Sequence, residues 1–255
     1  MLRSRVIPCL LIHNKGLVKT VNFANPKYVG DPINAVKIFN EKEVDEILIL
    51  DIDATVNGVE PNYSLIEKLA LECRMPLCYG GGINKVEQAS KIIELGVEKV
   101  ALSSAIIQNT SLISSIVKTI GSQSVVAVID VKKKFFGGYT VFTNNGKKKI
   151  DQDLVKTLNQ IEDSGAGEIV INSIDNDGVM KGYDLTLIKK VREAVSIPIT
   201  ALGGAGSKEH IFELVNRFKI IGAAAGSLFV FKGIYKAVLI NYFTKSEINK
   251  LDQNL

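Results

Sequence analysis

A closed (β/α)8 barrel is the fold class this sequence predicts, on three observations. Eight short apolar runs alternate with amphipathic segments along the chain. The runs lack polar alternation, as do strands buried on both faces of a helix-covered parallel sheet. A motif also repeats at half-length: PLCYGGGI (76–83) aligns with PITALGGA (198–205), an offset of 122 that sets LDID (50–53) on NSID (172–175). The expectation is an α/β chain forming a single (β/α)8 or TIM barrel, built from half-barrels of about 1–122 and 123–255.

The elements follow in order. RVIPCLLI (5–12) is the first strand and INAVKIFNEKEV (33–44) the first helix. EILILDID (46–53) leads to the helix NYSLIEKLALEC (62–73), and PLCY (76–79) to VEQASKIIELG (86–96). KVALSS (99–104) ends the first half, and VVAVID (125–130) opens the second. KKKFFGGYTVFTNNGKKK (132–149) sets lysine triplets around β-formers and a glycine pair, which predicts a β-hairpin inserted after strand five. DLVKTLNQIEDSG (153–165), EIVINS (168–173), DLTLIKKVREAV (184–195), PITAL (198–202), KEHIFELVNRF (208–218) and IIGAAAG (220–226) complete the alternation. No Pro- or Ser-rich linker interrupts it, so one domain over 1–255 is expected.

Of the 255 residues, 46% are hydrophobic and 23% charged, enough for a globular core. The net charge of +4 is mild and the lysines are spread, so no nucleic-acid partner is expected. No stretch approaches the ~20 apolar residues of a membrane span, and the N-terminus does not resemble a signal peptide. Cys9, Cys73 and Cys78 are odd in number and lack metal spacing. A reduced cytoplasmic protein follows as the expectation, with no membrane partner, metal or cofactor.

Barrel chemistry occupies the C-terminal ends of the strands. AVID (127–130) stops on Asp130, whereas the matching position of the first run, 119 residues earlier, holds Leu11. Half-barrel symmetry puts these two on opposite sides of one mouth. Gly80-Gly81-Gly82 follows strand three, and Gly203-Gly204 with Gly206 follows strand seven. Ser103-Ser104 and Gly226-Ser227 end strands four and eight. Glycines admit close backbone approach, and helix N-termini offer N–H groups to anions. A single glycine pair reads equally as a tight turn; two matched sites suit a substrate with a phosphate at each end. Asp51 and Asp177 also end strands, where they would contact substrate hydroxyls or cap the next turn.

At the opposite rim, Arg5, Glu46, Lys99 and Glu168 open strands one, two, four and six. Left unpaired there, each would cost several kcal/mol, so a ring of pairs is expected. Such a ring is either a plug or a gate for a small neutral molecule. His13 reads as an exposed loop residue and His210 as helix surface. The hairpin lysines are either a solvated face or an attraction for a phosphorylated substrate.

The opening RVIPCL, VKTVNFANP (18–26), GDP (30–32), YGGGI (79–83), GSQSVV (121–126), VFTNNGKK (141–148), GAGEI (165–169), SIDNDG (173–178), GYD (182–184) and GGAG (203–206) carry a resemblance over nearly every strand end. From end to end the chain resembles the HisF family, the cyclase subunits of imidazole glycerol phosphate synthase. The resemblance implies a lyase-type synthase subunit of histidine biosynthesis, docked by its N-terminal face on a HisH-like glutaminase. Ammonia would pass the gate Arg5, Glu46, Lys99 and Glu168 to a bis-phosphorylated substrate. Phosphate contacts are implied for Gly81, Gly82, Ser103, Ser104, Gly178, Gly203, Gly204, Gly226 and Ser227, and other substrate contacts for Asp51, Asp177 and Lys19, the last in a mobile first loop.

Two departures accompany the match. The family uses two aspartates as general acid and base; Asp130 supplies one, and Leu11 stands where the other belongs. Ser103 stands where the family usually has asparagine. Losing a general acid typically costs ~10²–10⁴ in rate. The pattern is similar to second-copy family members of bacterial surface-polysaccharide loci, which implies ammonia supply to a sugar amidotransferase acting on an N-acetyl sugar. An authentic histidine-pathway cyclase is the alternative, and a non-catalytic glutaminase-activating subunit is the third possibility.

Overall fold

Each apolar run becomes a strand of one closed sheet in the computed structural model, which describes residues 3–253. The chain begins with β1 (Arg5–His13), β2 (Gly16–Val21), β3 (Ala24–Gly30), α1 (Pro32–Glu41), β4 (Ile47–Asp51), α2 (Ala54–Asn57) and α3 (Tyr63–Glu72). It continues through β5 (Leu77–Gly80), α4 (Val86–Glu94), β6 (Lys99–Leu102), α5 (Ser104–Gln108), α6 (Ser111–Ile120) and β7 (Val125–Lys133). Next come β8 (Tyr139–Thr143), β9 (Lys148–Ile150), α7 (Leu154–Asp163), β10 (Glu168–Ser173), α8 (Leu185–Ala194) and β11 (Ile199–Leu202). The last are α9 (Lys208–Phe218), β12 (Gly222–Ala225), α10 (Ser227–Val230), β13 (Phe231–Lys232), β14 (Ala237–Val238) and α11 (Lys245–Gln253).

Strands β1, β4, β5, β6, β7, β10, β11 and β12 pair in parallel in that order, and β12 returns to β1. The barrel is therefore closed, with no free edge in its wall. Side chains alternate between two apolar cores. Val6, Leu10, Ile47, Ile49 and their like face outward against the helices. Ile7, Cys9, Leu48, Cys78, Val126 and Val170 fill the interior. Helix starts are fixed by side-chain caps at Asp31, Asn62, Asp153 and Asp184, each worth about 1 kcal/mol.

The expected hairpin after strand five is present and runs on from the barrel wall: β7 pairs with β8 in antiparallel fashion from Asp130 to Lys133, and β8 pairs with β9. The segment expected as a first loop is instead a second hairpin. β2 pairs with β1 and with β3, turning through Asn22 and Phe23, both at positive φ. His13 is likewise no loop residue. It ends β1 half-buried, its Nδ1 2.6 Å from Asp53 Oδ1. His210 is also more engaged than surface: in the first turn of α9 its Nδ1 accepts the Gly206 N–H at 3.1 Å.

Candidate functional site

The lower rim is built from Arg5, Lys99 and Glu168, which each begin a strand, and Glu46, which immediately precedes one, and their side chains meet one another. Arg5 binds Glu46 through Nη1 and Glu168 Oε1 through Nη2, the latter at 2.7 Å. Lys99 Nζ lies 2.9 Å from Glu46 Oε1 and 3.1 Å from Glu168 Oε2. Two cations thus alternate with two buried carboxylates in a closed ring. Thr200 Oγ1 adds a fifth contact, donating to Glu168 Oε1 at 2.5 Å. Burial alone would raise the Glu168 carboxyl, but Arg5, Lys99 and Thr200 outweigh it and hold it below the ordinary range. Above the ring is a void of about 10 Å³, walled by Ile7, Leu48, Cys78, Val126 and Val170. That is the lower bound for one water-sized guest.

The upper rim opens into a cavity of about 350 Å³. Its wall contains Leu11, Asp51, Asp130 and Asp177; Gly81, Gly82, Ser103 and Ser104; Gly178, Gly203, Gly204, Gly226 and Ser227; and Lys19, whereas Gly206 lies outside it. Leu11 and Asp130 come from the first and fifth of eight strands, hence from opposite sides. The short helices α5 and α10 start at Ser104 and Ser227. A β-carbon at Gly226 would run into Lys19 Nζ, so glycine there is what lets the lysine enter. Lys19 Nζ donates to the Cys9 carbonyl at 2.5 Å, deep in the mouth. Burial lowers its pKa, against the pull of Cys9 and Asp177.

Asp130 is the most perturbed carboxyl of this face, pushed up to about 7 chiefly by burial, with Asp177 adding to the rise. Asn172 opposes it, donating from Nδ2 to Asp130 Oδ1 at 2.9 Å. A carboxyl near 7 can both take and return a proton at neutral pH. Asp177 accepts from Thr20 Oγ1 at 2.7 Å and from the Phe23 N–H, so it ties the first hairpin to the mouth. Asp51 accepts from the Asp53 and Ala54 N–H groups at 2.9 and 3.1 Å, which is turn capping. His13 does not reach the cavity: both ring nitrogens are engaged, by Asp53 and Asn14, and it lies outside the cavity wall.

Two contributors were absent from the expected set. Asn172 and Thr200 are polar residues inside apolar strands, and that interruption was the available signal. Asn172 sits opposite Asp130 in the β7–β10 register, and its Oδ1 is buried with no partner among the described residues. No group of three or more potential metal ligands occurs among the described residues.

A family model described as histidine biosynthesis protein matches residues 5–236. The chain is 60% identical over 251 residues to a Vibrio vulnificus protein provisionally named imidazole glycerol phosphate synthase subunit hisF3, covering 98% of this chain and 96% of that one. A Pseudomonas aeruginosa protein, provisionally named subunit hisF2 of the same synthase, is 52% identical over 252 residues, 99% of each chain. The imidazole glycerol phosphate synthase subunit HisF of Clostridium botulinum (strain Langeland) is 39% identical over 246 residues, 96% of this chain and 97% of its own. With near-complete coverage on both sides, the chain belongs to the HisF family of histidine biosynthesis proteins.

Proposed function

We propose that this chain is a HisF-type barrel subunit that takes ammonia from a HisH-like glutaminase at its lower rim and no longer performs efficient cyclisation at its mouth. The observation that carries the proposal is Leu11 in the cavity wall opposite Asp130, above an intact charged ring. Acid–base cyclisation needs two proton-handling groups. A leucine can serve as neither, which removes ~10²–10⁴ in rate. The ring is the gate for neutral ammonia, and the void above it is the first station of the route. The glycine and serine turns at Gly81–Gly82, Ser103–Ser104, Gly203–Gly204 and Gly226–Ser227, with Gly178 beside them, hold a substrate phosphorylated at both ends. Lys19, held at the Cys9 carbonyl, meets that guest from within the mouth.

The nitrogen then goes to amidation of an N-acetyl sugar of a surface polysaccharide, through a sugar amidotransferase. Support for this paralogue role comes from identity: relatives at 52–60% carry provisional names, while those named plainly as HisF lie at 37–39%. Histidine-pathway cyclisation is the second reading, favoured by the retained Asp130 and its pKa of about 7. A subunit that only activates its glutaminase is the non-enzymatic contender.

Leu11→Asp separates them. If the phosphate sites are intact, the variant gains ~10²–10⁴ in ammonia-dependent cyclisation over wild type. Wild-type turnover of the bis-phosphate substrate at a rate matching a histidine-pathway cyclase would overturn the paralogue role. A purely activating subunit would stimulate the glutaminase equally with Asp130→Asn.

A further inference from the structure

Two hairpins stand on the mouth rim and end in the same chemistry. β7 runs three residues beyond Asp130, turns, and pairs Lys133 with Tyr139 on the way back. On that turn Phe135 and Phe136 are 96% and 97% exposed, their rings edge to face with centroids 5.0 Å apart. The second hairpin, β13–β14, follows α10. Lys27 of the β2–β3 hairpin lies 5.2 Å from its Phe231 ring, which places it beside the mouth. Its turn carries Ile234 and Tyr235, 88% and 90% exposed.

Among the described residues, the large exposed apolar residues adjacent in sequence are Phe135–Phe136, Ile234–Tyr235 and Val238–Leu239, the last pair at the end of β14 and about half as exposed as the tips. Lysines flank both tips. Lys133 is paired with Asp184 at 3.1 Å, and Lys132 lies over the Phe142 ring. Lys134, Lys232 and Lys236 have no acidic partner among the described residues. The tips are protrusions and not the walls of a groove, with open space around Gly137, Gly138 and Gly233. A stable protein interface takes about 800 Å² from each partner in one shaped patch, which separate two-residue tips do not offer. They suit a surface that yields around them.

We propose that the two hairpin tips seat this barrel, mouth first, on an anionic lipid bilayer. Phe135, Phe136, Ile234 and Tyr235 enter the headgroup region, and Lys134, Lys232 and Lys236 lie against lipid anions. Apolar insertion combined with basic charge is the two-part signal that peripheral attachment requires. Among the described residues no helix is long and apolar enough to cross a membrane, so the attachment is to the surface alone. It holds whichever nitrogen acceptor the barrel serves.

Co-sedimentation of the full-length chain with lipid vesicles tests this. The protein should pellet with mixed phosphatidylglycerol–phosphatidylcholine vesicles, not with phosphatidylcholine alone, and should detach as salt is raised. Phe135→Ser with Phe136→Ser should weaken binding about tenfold or more, leaving the melting curve unchanged. Leu71→Ser, on the exposed side of α3, should leave binding as it was. Absence of binding to anionic vesicles at low salt, or binding that survives substitution of both tips, overturns the proposal. So does a photo-crosslinker at position 135 that joins the chain to one soluble protein in cells while none of the chain is in the membrane fraction.

Discussion

At the lower rim two cations and two carboxylates lock one another with a threonine hydroxyl in support, whereas at the mouth three carboxylates face a single buried lysine. The difference lies in what each face needs from outside. The ring is complete as it stands, so its charges are held and its geometry is fixed. Burial is less fully offset at the mouth: Asp51, Asp130 and Asp177 are all raised, mainly by desolvation. The two faces therefore oppose each other as pH rises. Glu168, lowered by its partners, contributes stability that is present above its ordinary value of 4.5 and is lost on acidification through its lower folded pKa. Asp130, raised from 3.8 to about 7, costs nothing below the first value and most above the second.

The comparison can be broken most severely at the ring. Glu168→Ala leaves Arg5 and Lys99 sharing Glu46, and should cost about 3–5 kcal/mol in urea unfolding. A loss under 1 kcal/mol would mean that water, not the ring, compensates those cations. Thr200→Val removes one hydroxyl without changing shape, and about 1.5–3 kcal/mol should follow from the lost hydrogen bond to a charged group. At the mouth the sign reverses. Asp130→Asn should stabilise by up to about 4 kcal/mol above pH 7 and by nothing below pH 4, measured as paired melts across that range. A pH-independent difference would place Asp130 in a wetter site than its burial implies.

Much of this contrast was legible from residue order. Apolar runs without alternation marked the wall strands, and the charge preceding four of them marked the ring. Glycine turns at matched offsets marked the cavity. The first hairpin was not legible, because its turn uses Asn22-Phe23 at positive φ where a glycine would have announced it. α6 was missed because SLISSIVKTI mixes serines and β-branched residues, which are weak helix formers that tertiary packing of Ile113 and Ile116 overrides. Asn172 and Thr200 matter through partners on strands 42 and 32 residues away, which no local pattern reports.

The strand that presents Asp130 does not end there. β7 is continuous from Val125 to Lys133, and Asp130 is a rung in two ladders, to Asn172 on one side and Phe142 on the other. The hairpin is thus an outward extension of the strand that carries the carboxylate. Phe135 and Phe136 at its tip and Asp130 in the cavity wall therefore share one uninterrupted ribbon of backbone.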